Sequence, residues 1–167
     1  VQNLVNNLKE SNPVLVDELV PKLLGLGEIQ KVLQNLLSEG ISIRDLLTIF
    51  ETLADHAPAT RDTDVLTEYA RQSLKRAISS KYFPANETTS VITVDPKIEQ
   101  EIMGSVKQTE QGAYLTLDPE RTKAIMASVE EEVAKLENMG KPAIIMTSPI
   151  VRMYFKKLTE DYFKDLT

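Results

Sequence analysis

The sequence predicts a mixed α/β protein in which an all-helical subdomain precedes a small subdomain of alternating strands and helices. In the first half, apolar residues recur at the spacing of a helical face. In the second half, short segments of alternating polarity are followed by helical patterns that begin at a proline. The segment at 82–89, which contains Pro84, interrupts both patterns. We therefore expect a helical subdomain at 1–81, a linker at 82–89 and an α/β subdomain at 90–167.

The predicted helical subdomain opens with two short helices, at 2–10 and 14–19, which end before Pro13 and Pro21. Longer helices follow, each with an apolar stripe that we expect to face the core. The stripe residues of these longer helices are, in chain order, Ile29, Val32, Leu33, Leu36 and Leu37; Ile43, Leu46, Leu47, Phe50, Leu53 and Ala54; and Leu66, Tyr69, Ala70, Leu74, Ala77 and Ile78.

Residues suited to helix ends separate these helices. Gly40 stands where a helix C-terminus favours a left-handed residue. Ser42, with Asp45 three residues later, resembles a capping box in which aspartate replaces glutamate. Either Asp62 or Thr63 is placed to cap the following helix. The links are short, so we expect neighbouring helices to pack as hairpins.

The predicted α/β subdomain has three strands, each followed by a corner with proline at the first helical position. The strands are 90–94, 113–117 and 143–146, and the corners are Asp95-Pro96, Asp118-Pro119 and Ser148-Pro149. We expect a parallel or mixed sheet with helices packed on it. The expected inward residues of the first and last helices are Ile98, Ile102, Met103 and Val106, and Val151, Tyr154, Phe155, Leu158 and Tyr162. Residues 165–167 resemble the approach to a fourth strand, so we expect either a fragment truncated before that strand or a chain whose end is disordered.

The composition is typical of a soluble, folded protein with an aliphatic core. Apolar residues make up 42% of the 167 residues and charged residues 26%. The net charge of −6, with no basic block, opposes binding to nucleic acids. Cysteine is absent, which excludes disulfides, a thiolate nucleophile and cysteine zinc sites. No apolar run approaches the length of a membrane span.

Few residues have the pattern of a catalytic or metal site. His56, beside Asp55, is the single histidine, and a helix-end role is favoured over a base, a metal ligand or a pH-sensitive contact. Ser148 lacks the glycines of a nucleophile elbow and is predicted to cap a helix. The carboxylates at 130–132 fan out around a helix and cannot converge on a metal. Gly27 precedes no phosphate-loop lysine and is predicted as a cap. We therefore predict no enzymatic activity, cofactor or metal.

Two stretches resemble the FlhA (FHIPEP) family of type III export gate proteins. Within 27–76 the matching strings are GEIQKVLQNLL, SIRDL-x-TI-x-ETLAD and LTEY-x-RQ-x-L, which resemble the third cytoplasmic subdomain. At 148–166 the string SP-x-VR-x-YFKKL-x-EDYF-x-DL resembles the fourth. The weakest match lies between residues 82 and 112, and Lys164 stands where the family has proline.

The resemblance implies a protein of the bacterial inner membrane, at the base of a flagellum or a virulence injectisome. Family members form a cytoplasmic ring, described as nonameric, that receives export substrates and their chaperones and helps to order export. The resemblance places this chain on the cytoplasmic side, with membrane attachment only through an N-terminal half that is absent here. The chaperone cleft of the family lies mainly in the first two cytoplasmic subdomains, which are also absent.

Charged residues at helix ends are the candidates for subunit and partner contacts, because caps and loops project side chains from a fixed scaffold. The candidates are Arg44, Asp45, Arg61 and Asp62 for a neighbouring subunit, and Arg152, Lys156 and Lys157 for docking another protein. Asp45 and Asp62 are also explained as helix caps.

Two alternative functions remain. The injectisome branch of the family is one, although ETLADHAP and VLTEYARQ look more flagellar. The other is a small-ligand domain, because alternating strands and helices often bind ligands at the carboxyl ends of strands. The corners at Asp95, Asp118 and Ser148 would form that site, which lacks glycine-rich loops and an acid–base set.

Overall fold

The protein has the predicted mixed α/β class, with helices first and strands only in the second half. A computed structural model describes residues 1–109, 112–163 and 166. The chain divides into two compact units, Val1–Glu87 and Thr88–Thr167. The three-part division with a linker at 82–89 stays a prediction. Apart from Leu166, the residues of the expected fourth-strand approach and the departure at Lys164 lie outside the described residues.

The first unit is built from helices that bury one aliphatic core. The helices are α1 (Gln2–Ser11), α2 (Pro13–Leu19), α3 (Leu26–Ser38), α4 (Leu46–His56), α5 (Thr63–Ser73) and α6 (Lys75–Tyr82). Among its largest fully buried side chains are Phe50, Leu19, Leu24, Ile29, Leu36 and Leu66. Helix α5 packs on both α3 and α4, and α2 packs on α4, so the core lies among these four helices.

Helix ends in this unit follow local capping chemistry, with two corrections. Asp62 caps α5 by accepting hydrogen bonds from two backbone N–H groups, and Gly40 has a φ of 67° after α3, both as predicted. The predicted capping box at Ser42 is wrong. Asp45 itself is the cap, accepting from the Thr48 N–H, so α4 begins after it. Gly27 lies inside the first turn of α3, and Gly25 occupies the cap position.

The predicted apolar stripes are correct for most of their residues and wrong at their margins. Leu37 is 52% exposed and Leu47 is 37% exposed, whereas Ile49, absent from the predicted stripe, is fully buried. Because α4 begins at Leu46 rather than near residue 43, its inward face runs through Ile49 and Phe50. Ala77 is exposed because the predicted last helix divides at Leu74 into α5 and the mostly exposed α6.

The described residues of the second unit form two small sheets, which corrects the predicted single sheet. Strands β1 (Ile92–Thr93) and β4 (Ile145–Met146) pair in parallel. Strands β2 (Val106–Thr109) and β3 (Gly112–Leu115) form a separate antiparallel hairpin. The second predicted strand therefore pairs with a segment that includes Val106, predicted to be helical, and not with β1 or β4.

The helices of this unit are α7 (Pro96–Gly104), α8 (Pro119–Asn138) and α9 (Pro149–Thr159). Asp95 and Asp118 cap α7 and α8 through backbone N–H groups, as predicted. The buried cluster between the three helices comprises Ile102, Ile125, Met126, Val129, Val133, Val151, Tyr154 and Phe155. Tyr162, predicted to face inward, lies beyond the end of α9 and is 61% exposed.

Candidate functional site: charged helix ends and the basic face of the last helix

Arg61 is engaged within its own unit. Its guanidinium donates two hydrogen bonds to the carboxylate of Glu28, at 3.0 and 2.7 Å. The same carboxylate accepts from the Gly25 N–H at 2.7 Å, which is the reaching-back half of a capping box at the start of α3. The hydrogen bonds from Arg61 lower the pKa of Glu28, and the pairing raises the pKa of Arg61. Arg61 thus ties the loop before α5 to the N-terminus of α3.

The two aspartates of the first candidate set are helix caps, and Arg44 is the member without such a role. Asp45 accepts from Thr48 N–H at 3.2 Å and Asp62 from Asp64 N–H at 2.9 Å. Within the described residues, no side-chain hydrogen bond or ion pair involves Arg44, which is exposed. Its side chain lines a groove of about 360 Å³, with apolar walls from Leu4, Leu8, Ile43 and Leu46.

The second candidate set lies on α9. Arg152 and Lys156 are four residues apart on this helix and therefore share one face, and Lys157 follows. Both residues of the shared face are half-buried, whereas Lys157 is exposed. Arg152 and Lys157 each have an interaction partner. Arg152 and Lys156 thus form a basic face of α9. Lys156 and Lys157 lie in the last turn of the helix, where its dipole favours cations, whereas Arg152 lies near the start.

The corners of the alternative ligand site do not converge on one cavity. A cleft of about 240 Å³ in the second unit is lined by Asp95, but neither Asp118 nor Ser148 lines it. Ser148 occupies the predicted N-cap position of α9, but its side chain makes no capping hydrogen bond. Instead, the Ser148 N–H donates to the carboxylate of Glu99 on α7 at 2.7 Å.

The remaining candidate chemistry is structural. The His56 ring stacks on the Tyr69 ring, with centroids 3.7 Å apart and planes 4° from parallel. Glu131 and Glu132 both pair with Lys135 on the surface of α8. In the part of the chain that the structure describes, no group of three or more acidic, histidine or cysteine residues is placed to hold a metal. In that same part, every helix is too short or too polar to span a bilayer.

Comparison with known proteins resolves the family. The sequence profile of the FHIPEP family matches residues 1–167, the whole chain. The chain belongs to the FHIPEP family. The resemblance in the sequence is thereby confirmed.

A curated relative and several solved structures are similar to almost the whole of this chain. FlhA of Bacillus subtilis, a flagellar biosynthesis protein, is 48% identical over 165 residues, which are 99% of this chain and 24% of that protein. CdsV of Chlamydia pneumoniae matches with a TM-score of 0.86 and 38% identity, over 99% of this chain and 47% of CdsV. CdsV in complex with CdsO also matches, with a TM-score of 0.82 and 36% identity, over 99% and 48%. The nonameric EscV cytosolic domain of a type III secretion system gives 0.78 and 34%, over 99% and 48%.

Two acidic residues of this FHIPEP chain have structural roles that were not predicted from the sequence. Glu28 joins α3 to Arg61, and Glu99 holds the N-terminus of α9. For Glu28 a signal was present, because glutamate stands three residues after the cap glycine. For Glu99 no local signal exists, since its partner Ser148 is 49 residues away.

Proposed function

We propose that this chain is a non-catalytic module of the flagellar type III protein export gate, on the cytoplasmic side of the bacterial inner membrane. The observation that carries the proposal is the 48% identity to a flagellar biosynthesis protein over 99% of the chain. Because the chain spans 24% of that relative, the proposal concerns one module of a longer protein. The module joins other copies in a ring, a nonamer in the full-length protein, that docks export substrates with their chaperones and helps to order export.

Ring formation is supported by the relatives and by the surface of the first unit. A structural relative, the EscV cytosolic domain, is nonameric. In this chain, an apolar groove with an exposed arginine at its rim has the character of a protein contact, in which apolar residues are buried and a charge sets the register.

Among the four candidates for the subunit contact, Arg44 is the one that can be changed without removing a described bond of the fold. Changes at Asp45 or Asp62 remove a helix cap, and a change at Arg61 releases Glu28, so each also alters the fold of the unit. Arg44→Glu reverses a charge on the surface and leaves these bonds in place. The matched control is Arg76→Glu, the same change at an exposed position of α6.

The experiment introduces each change into the full-length protein and counts assembled rings by electron microscopy after solubilisation. We expect Arg44→Glu to lower the fraction of protein in rings by about five-fold or more, and swimming motility with it. Arg76→Glu should match the wild type. Normal assembly of the Arg44→Glu protein would remove Arg44 from the contact.

The basic face of α9 is proposed to dock a further component of the export apparatus. A relative, CdsV, forms a complex with CdsO, which supports a partner of this kind for the family. Lys156→Glu should weaken capture of export-apparatus proteins by the full-length protein while leaving its rings intact. Lys123→Glu, on the exposed surface of α8, is the control. Equal capture by both variants would exclude this face as the docking site.

The injectisome branch is the second candidate. Identity to the EscV domain is 34%, against 48% for the flagellar relative, and this favours the flagellar branch. Complementation separates the two. The full-length protein should restore motility to a flagellar export-gate deletion strain and should not restore secretion to an injectisome deletion strain. The reverse result would assign the chain to the injectisome.

A further inference from the structure

The cleft in the second unit follows the free edge of a strand. It has a volume of about 240 Å³, and its lining includes the four consecutive residues 92–95. Successive side chains of a strand point to opposite faces of a sheet. A cleft that touches four residues in a row therefore reaches the edge of β1 and its extension, and it also extends over the face that Ile92 shares with Ile145 of β4.

The backbone at this edge has unused hydrogen-bonding groups. Ile92 donates its N–H to Ile144 at 2.8 Å, and Val94 donates to Met146 at 3.3 Å, so both residues point their backbone groups toward β4. Because the direction alternates along a strand, the N–H and C=O of Thr93 point to the opposite edge. Across residues 1–109, 112–163 and 166, β1 pairs with β4 and with no second strand. Thr93 thus presents a donor and an acceptor to the cleft.

The lining of the cleft combines apolar side chains with two carboxylates. Ile98, Ile125 and Val129 supply apolar surface, and Asp95 and Glu132 supply carboxylates. The described lining contains no lysine or arginine. Each carboxylate already has one partner, since Asp95 accepts from the Lys97 N–H and Glu132 from the Lys135 side chain. A carboxylate can accept about four hydrogen bonds, so both retain capacity for another donor.

We propose that this cleft binds an extended segment of a partner protein, which adds to the edge of β1 and carries a lysine or arginine beside an apolar residue. The backbone of the segment pairs with Thr93, and its cation reaches the carboxylate of Glu132. Its apolar side chain packs on Ile98, Ile125 and Val129. A helical partner has no free backbone groups for Thr93, and an acidic one is repelled by the carboxylates. The surface belongs to the second unit and is independent of the Arg44 groove, so it goes beyond the proposed ring contact.

The test uses nuclear magnetic resonance of the isotope-labelled chain titrated with an acetylated, amidated pentapeptide of alternating valine and lysine. We expect saturable shifts of the Thr93 and Ser128 amides. A peptide with glutamate in place of lysine should produce none. Glu132→Lys should weaken binding by about five-fold. Glu131→Lys is the matched control, because both glutamates pair with Lys135 but only Glu132 lines the cleft, and it should change binding less than about two-fold.

A second pair of variants tests the cleft by steric bulk, without a change of charge. Ser128→Trp places a bulky ring in the lining, whereas Ala127→Trp adds the same ring at an adjacent exposed position outside it. Only the first should abolish the titration. Equal effects of both members of either pair, or equal binding of the acidic peptide, would overturn the proposal. Shifts of Thr93 that appear with rising protein concentration alone would assign the edge to a second copy, and would overturn it as well. The number of assembled rings, which tests the proposed ring contact, is measured in a separate experiment. The two proposals can therefore fail independently.

Discussion

Replacing Glu99 or Ser148 tests how the last helix of the second unit is held at its N-terminus. In a capping box, a glutamate at the third helical position accepts from the N–H of the cap residue. In α9 that position is Val151, whose side chain has no acceptor. The carboxylate of Glu99 on α7 instead accepts from the Ser148 N–H, at 2.7 Å. The carboxylate also places a negative charge at the positive end of the α9 dipole.

The expected free-energy changes follow from these contacts. Glu99→Ala removes the acceptor and the charge and leaves a half-buried N–H unpaired, which costs about 1–2 kcal/mol. Glu99→Gln keeps an oxygen acceptor but loses the charge, and should cost about 0.3–1 kcal/mol. Ser148→Ala should cost less than about 0.5 kcal/mol, because the hydroxyl makes no capping bond.

Amide hydrogen exchange of the first turn of α9 is the direct assay, because it reports this helix separately from the first unit. Glu99→Ala should accelerate exchange there by about 5- to 30-fold. Urea unfolding followed by circular dichroism should give a lower midpoint for the same variant, by roughly 1 M for a slope of about 1 kcal/mol/M. If Ser148→Ala accelerates exchange as much as Glu99→Ala does, the serine hydroxyl caps the helix and the reasoning is refuted.

Three further predictions concern the first unit. Phe50→Ala should destabilise it by about 3–5 kcal/mol in urea unfolding, because the side chain is fully buried; a loss below about 1 kcal/mol would contradict the described core. Gly40→Ala should cost about 1 kcal/mol, since φ is 67° and the new Cβ would lie 3.0 Å from Lys81 Nζ; unchanged thermal unfolding would refute this. The pKa of Glu28 is lower in the folded than in the unfolded chain, so its contribution is present above about pH 4.5 and is lost as the pH falls through the folded value. Arg61→Ala should therefore flatten the fall in stability below about pH 4.5, and an unchanged acid profile would count against the pairing.

Caps and helix faces were predictable because their signals are local. Asp62, Asp95 and Asp118 each bond to N–H groups two or three residues ahead, so the sequence order contains the whole interaction. Asp45 illustrates the boundary of this reasoning. Its role as a cap was available, but Ser42 offered a second local solution that the structure does not use as a cap.

The hairpin of the second unit was missed because its first strand imitates a helix. Val106 continues the spacing of Ile98 and Ile102, so periodicity alone extends the helix through it. Gly104, the last residue of α7, was the available sign of a helix end. Of the candidate surface residues, the sequence could not show that Arg61 is committed to Glu28, because a contact between residues 33 positions apart depends on how the helices pack.

The parallel pairing of β1 with β4 has a consequence for synthesis of the protein. Ile92 finds its partner only when Ile145 has left the ribosome, and the bond between Glu99 and Ser148 spans a similar separation of 49 residues. The first unit can complete its helices and core earlier, because residues 1–87 all precede Ile92 and Glu99 in the chain. During translation, residues 1–87 therefore emerge before the second unit can form its parallel strand pair.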